Sequence, residues 1–254
     1  MVTGIRLHDV SVELPLYDAD ARSMRRLSLA ALGGKLHLAG RNPSVSALSS
    51  IHLELREGDR LALSGPNGSG KTTLLRTLAG IYTPTTGRRT ATGRIAALLG
   101  VHAGFDMDAT GLENIMLLGM HLDISPREMR PLVDEIIDWT GLGAFIAAPL
   151  RTYSAGMVTR LGFAVVTARA PDILLMDEWL GLGDAEFQLK AYDRMARFVE
   201  GASLLVLASH TQHLLAQWCT TALALDGGRI VKSGSVTEVL GLKEMGLPPP
   251  VSAC

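Results

Sequence analysis

Cysteine is scarce: there are two in 254 residues, Cys219 and Cys254. Two thiols exclude a disulfide-built scaffold and fit a reducing compartment. No CaaX spacing precedes the terminal one. Neither sign of charge is in excess. The 24 basic and 25 acidic residues leave a net charge of −1, so no global field draws in nucleic acid or anionic lipid. Long apolar runs are lacking as well. "LLVLA" at 204–208 falls far short of the roughly 20 residues that a membrane-spanning helix needs. The opening "MVTGIRLHDVSVEL" alternates like a strand and has neither the apolar core nor the cleavage site of a signal peptide. Repeats and low-complexity tracts are missing too. What remains is a chain with 47% hydrophobic residues, enough for one α/β domain with a full core. A mean hydropathy of +0.24 is high for a soluble chain and hints at apolar surface kept for a partner.

Periodicity gives the order of elements. Residues 2–14 read as a strand, 22–35 as a short basic helix and "GRNPSVSAL" as a loop. Strands follow at 51–57 and 60–64 around the turn "EGD". A Gly-rich loop then opens a helix that Gly80 ends, and "GRIAALLG" reads as a strand. Helical spacing runs from about 110 to 148, and a helix begins near Ser154 and stops before Pro171. "DILLMDE" is a continuous apolar strand with acids at its end, as in a buried parallel sheet. Next come a helix near 187–200, the strand "SLLVLASH", two strands joined at Asp226–Gly228 and a last helix at 235–243. Strands alternating with helices predict a mainly parallel sheet, interrupted by a helical insert near 105–158.

Gly65, Pro66, Asn67, Gly68, Ser69, Gly70, Lys71 and Thr72 form G-x-x-x-x-G-K-[ST] between a strand and a helix, followed by Thr73. Glycines let backbone N–H groups curl around phosphate oxygens. Lys71 is expected to reach the β- and γ-phosphates, and the Thr72 hydroxyl to ligate Mg²⁺. In "ILLMDEW", Asp177 ends an apolar strand where a carboxylate can hold the Mg²⁺ water shell. Glu178 follows and can polarise an attacking water. A guanine-reading N-K-x-D motif is missing, which disfavours GTP. "YSAGM", 153–157, places Ser154 as the N-cap of an apolar helix. Either it only starts that helix, or the helix end meets a phosphate.

The series "GPNGSGKTT", "YSAGM", "LLMDE", Gly183-Asp184 and "ASH" resembles an ATP-binding cassette (ABC) nucleotide-binding domain across about residues 2–243. The resemblance implies a P-loop NTPase (RecA-like) core with a mainly parallel sheet, an antiparallel β subdomain and a helical insert. It implies one domain over 1–246 and a tail at 247–254. ATP and Mg²⁺ are the implied cofactors. "YSAGM" resembles the family's signature loop, which caps ATP held by the other subunit, so Ser154, Ala155 and Gly156 would act across a homodimer. Asp184 resembles the family's D-loop aspartate, and its alternative is a plain N-cap. His210 resembles the switch histidine that contacts the γ-phosphate. Tyr17 is the nearest aromatic to the adenine-stacking position, with Leu14 as the other register. The family's usual glutamine after the strand that follows the P-loop is missing, and Gly100 or His102 stands there instead.

"LLGVHAGFDMDATGLENI" and "DEWLGLGD" look like the ATPases of ABC-2-type polysaccharide exporters, which commonly lack that glutamine. A segment at 18–46, with Arg22, Arg25, Arg26 and Lys35, resembles their N-terminal insert. The implied partners are an integral-membrane ABC-2 permease subunit, which handles the lipid-linked glycan, and no nucleic acid. The implied place is the cytoplasmic face of the inner (plasma) membrane. The alternatives are an exporter of drugs or lipids, a soluble ABC protein, and an inactive regulatory module.

Overall fold

The apolar strands of the sequence divide their side chains between two cores. Leu174 and Met176 face one, while Ile173 and Leu175 face the other; Leu205 and Leu207 likewise oppose Leu204, Val206 and Ala208. A strand with both faces apolar belongs inside a sheet covered on both sides. The computed structural model describes residues 3–15, 36–37, 44–99, 104–178 and 185–242 and shows that sheet. It contains β4 (Arg60–Ser64), β6 (Ile95–Leu98), β7 (Ile173–Asp177), β8 (Leu204–Ala208), β9 (Thr221–Asp226) and β10 (Arg229–Ser235). Their order is β10-β9-β4-β8-β7-β6, and every pair is parallel except the β9–β10 hairpin.

One face of this sheet carries α1 (Lys71–Ala79) and a second, antiparallel sheet. That sheet has the order β2-β3-β1-β5, with β1 (Gly4–Pro15), β2 (Leu36–His37), β3 (Ser44–Arg56) and β5 (Thr86–Thr92). The structure departs from the expected elements here. Residues 44–48 are strand rather than loop, because Val45 and Leu48 pair with Leu14 and Val12 of β1 on either side of a bulge. β5 was not read from the sequence, because "TGRRTAT" is polar throughout and forms an exposed edge. The strands expected at 51–57 and 60–64 also do not form a hairpin with each other: they belong to different sheets.

The other face is covered by α6 (Ala185–Glu200), α7 (Gln212–Trp218) and α8 (Val236–Leu240). Helix α7, short and without a side-chain cap, was not among the expected elements. The helical insert comprises α2 (Gly111–His121), α3 (Pro126–Met129), α4 (Val133–Thr140) and α5 (Ala155–Val166), and it has its own core. Helices α2 and α3 open with capping boxes, Thr110 with Glu113 and Ser125 with Glu128. Arg194 of α6, with its side chain 11% exposed, joins the insert to the rest. Its guanidinium donates to Thr167 Oγ1 and the Ala164 carbonyl, pairs with Glu135 and lies 4.8 Å over the Trp139 ring.

Within the insert, Asn114 is fully buried. Its Oδ1 accepts from Asp106 N, and its amide donates to the carbonyls of Asp106, Ala109 and Thr110. The same loop is held from its other side. Leu150 N donates to Ala109 O, Arg151 N donates to Met107 O, and the Arg151 guanidinium pairs with Asp108 at 2.6 Å.

Candidate nucleotide-binding and hydrolysis site

In a parallel sheet the loops at the carboxyl ends of the strands gather on one edge. Strands β4, β8 and β7 are neighbours, so the residues following each of them meet. After β4 comes the Gly-rich loop. Gly65 (φ 140°), Gly68 (φ 77°) and Gly70 (φ 106°) take backbone conformations that side chains disfavour. A Cβ on Gly65 would stand 2.2 Å from the Leu225 carbonyl oxygen, so only glycine fits. Gly70 caps α1 with no side-chain hydrogen bond, which leaves the first-turn N–H groups to meet an anion. The Lys71 ammonium arches back over the loop and donates to the carbonyls of Gly65 (2.7 Å) and Pro66 (3.0 Å). Burial holds its pKa below the usual lysine value, while the carboxylates of Asp177 and Glu178 pull the other way.

The Thr72 hydroxyl donates to Asp177 Oδ2 at 2.6 Å, tying the start of α1 to the end of β7. A hydroxyl and a carboxylate held this close, facing a phosphate loop, form the sparse oxygen donor set that suits Mg²⁺. Glu178 has a left-handed backbone, φ 70°, and its N–H donates to the Ala208 carbonyl of β8. That turn points its carboxylate away from the sheet and toward His210, at 3.7 Å from Nε2, with both side chains more than half exposed. Asn67, Gly68, Ser69, Gly70, Lys71, Thr72, Thr73, Asp177, Glu178 and His210 all line one cavity of about 460 Å³. Gly65 and Pro66 stand behind it and hold Lys71 through their carbonyls.

Ser154, Ala155 and Gly156 are not in this cavity. They lie exposed at the start of α5, where Ser154 Oγ accepts from Met157 N at 3.2 Å. A Cβ on Gly156 would meet nothing closer than Ser154 Oγ at 3.9 Å, so the fold of this chain does not itself require glycine there. Tyr17, Asp184, Gly100 and His102 lie outside the described residues, as does the expected basic helix at 22–35.

A model of the ABC transporter family matches residues 48–181, more than half of the chain. The chain belongs to this family. Among curated relatives it is similar to the O-antigen export system ATP-binding protein RfbE of Yersinia enterocolitica. The two are 39% identical over 231 residues, covering 90% of this chain and 97% of the relative. It is 34% identical to the teichoic acids export ATP-binding protein TagH of Bacillus anthracis over 93% of this chain, and spans 41% of that longer protein. A solved dimeric ATP-binding cassette with ADP and phosphate bound shares the fold at a TM-score of 0.64 and 18% identity, covering 91% of this chain and 98% of that one. The chain is thus the ATP-binding subunit of an ABC transporter, with the P-loop NTPase architecture of ABC ATPases.

The ABC domain's cavity also has walls that sequence reading passed over. Val45, Ser46 and Ala47 of β3, Leu99 after β6 and Gly228 of the β9–β10 turn complete it. Residues 44–48 were read as loop, and Gly228 only as a turn residue. The adjacent glycines Gly227–Gly228 were the available signal, and the structure gives both a positive φ.

Proposed function

We propose that the chain hydrolyses ATP to drive export of a lipid-linked surface polysaccharide, as one half of a homodimer bound to a separate ABC-2-type membrane subunit at the cytoplasmic face of the inner (plasma) membrane. The observation that carries this reading is the 39% identity to an O-antigen export ATP-binding protein over nearly the full length of both chains. No described helix is long and apolar enough to cross a membrane. Residues 1–246 are read as one ABC domain with 247–254 as a tail.

In the proposed site, N–H groups of the loop from Gly68 to Thr73 would cradle the phosphates with Lys71, and Thr72 and Asp177 would hold Mg²⁺. The ion, when bound, offsets charge on the β- and γ-phosphate oxygens. Glu178 orients the attacking water and accepts its proton, and His210, facing it, contacts the γ-phosphate end. Ser154 and Gly156 of the partner subunit close over the nucleotide. This accounts for their distance from the cavity of their own chain and for the free space around Gly156. Asp184 and Tyr17 are assigned by resemblance to the link between the two sites and to the base.

The test is a Lys71→Ala replacement in the source cell. The expected outcome is loss of the glycan from the cell surface with lipid-linked glycan accumulating inside. Unchanged surface glycan refutes the export reading.

A further inference from the structure

The β9–β10 turn is joined to the phosphate loop by backbone contacts alone. Gly228 N donates to the Ser69 carbonyl at 3.0 Å, and the Gly228 carbonyl accepts from Ser49 N of β3 at 2.9 Å. One residue thus bridges the Gly-rich loop and the antiparallel sheet. The fit is too close for a side chain. At φ 75°, a Cβ on Gly228 would stand 2.6 Å from the Ala47 oxygen and 3.1 Å from Leu48 Cα. A Cβ on Gly70 would stand 2.9 Å from that same Ala47 oxygen and 3.4 Å from Gly228 Cα. The Ala47 carbonyl is therefore wedged between a glycine of the phosphate loop and a glycine of the turn. Leu225, at the other end of the turn, backs Gly65. All three partners, Ala47, Gly70 and Gly228, line the nucleotide cavity.

We infer that the Asp226–Gly228 turn is a third structural component of the nucleotide site, with Gly228 as a positioning residue that sets ATP affinity. This inference rests on the nucleotide-binding reading of the cavity and not on the transported substrate. Backbone N–H groups hold phosphate only when several of them converge on it. Gly70 stands in the phosphate loop, and the backbones of Ala47 and Gly228 lie directly against it. A side chain at 228 must push Ala47 and the phosphate loop apart, from 2.6 Å to the 3.4 Å of ordinary contact. Glu178 and His210, which follow β7 and β8, are not displaced by that movement.

Two measurements on the full chain test the inference. Gly228→Ala should raise KM and Kd for Mg-ATP by about tenfold or more, with kcat at saturation within about twofold of the parent. Gly141→Ala is the matched control: it too has positive φ (65°), but no atom lies within 4 Å of its Cβ, and it should leave KM unchanged. A Gly228→Ala protein that melts lower with unchanged KM makes the turn purely structural and overturns the inference. Hydrogen exchange of the unsubstituted chain decides the matter if the variant does not fold. Mg-ADP should slow exchange in 225–230 and 45–50 together with 65–73. Slowing confined to 65–73 overturns the inference and leaves the phosphate loop standing. No slowing anywhere overturns the nucleotide reading as well.

Discussion

Glu178 sits in a backbone conformation that its residue type resists, which makes its replacement informative about both stability and chemistry. Its φ of 70° costs a non-glycine residue about 1–2 kcal/mol. Asparagine occupies this region more readily than glutamine or glutamate, so Glu178→Asn recovers part of that strain, about 0.5–1 kcal/mol. Both amide variants lose the carboxylate facing His210, but that contact is 3.7 Å long and more than half exposed, worth a few tenths of a kcal/mol at most. Glu178→Gln should therefore melt within about 1 °C of the parent, and Glu178→Asn about 1–4 °C above Glu178→Gln. Both should lose turnover by about 10²-fold or more, since neither amide can accept the water's proton. Differential scanning calorimetry and a phosphate-release assay read the two effects on the same samples. If Glu178→Asn melts below Glu178→Gln, the side chain supports the fold and the strain argument fails. If Glu178→Gln turns over at the parental rate, Glu178 is not the base.

Thr72→Val keeps the shape of the side chain but removes the hydroxyl bonded to Asp177, so the Mg²⁺ concentration for half-maximal ATPase activity should rise at least about tenfold; a metal titration reads it. Arg194→Met should cost about 2–3 kcal/mol in urea unfolding, because Thr167 and the Ala164 carbonyl lose a charged donor in a nearly buried setting, while an exposed-pair change such as Arg6→Met should cost under about 1. The Glu128 carboxyl is drawn from 4.5 down to about 2, chiefly by the Arg169 guanidinium and then by the Ser125 hydroxyl and N–H. A lowered folded pKa gives stability that is present above pH 4.5 and lost as pH falls from there toward 2. Glu128→Gln should flatten the acid limb of a stability–pH curve in that window and leave the neutral region's slope unchanged.

The features legible in the sequence were those written locally. The phosphate loop is eight consecutive residues with fixed chemistry, and the apolar strand before Asp177 and Glu178 announces a strand buried on both faces. The helical spacing from about 110 to 148 was legible as well, whereas the capping boxes at Thr110 and Ser125 were seen only in the structure. What was not legible depends on neighbours distant in the chain. Strand β5 carries no apolar alternation because it is an edge, with Arg89 turned in to bond the Leu78 carbonyl. Residues 44–48 look like loop until β1 pairs with them. The role of Gly228 exists only where the Ala47 carbonyl meets it. His210 was placed by resemblance, since a histidine after a strand says nothing of the carboxylate on the adjacent one.

Asn114 has a mechanical consequence. Its amide grips the loop 106–110 from the α2 side, while Leu150 and Arg151 grip the same loop from the turn that leads into Ser154. Loop, helix and turn are one strut. A hinge absorbs a push; a strut delivers it at full amplitude. Displacing residues 106–110 therefore carries the exposed start of α5 with them, and no side chain need change its rotamer on the way. Aspartate is nearly the same size as Asn114, but it has no donors for the three carbonyls and would loosen the loop from α2 while the Leu150 and Arg151 bonds still tie it to the turn.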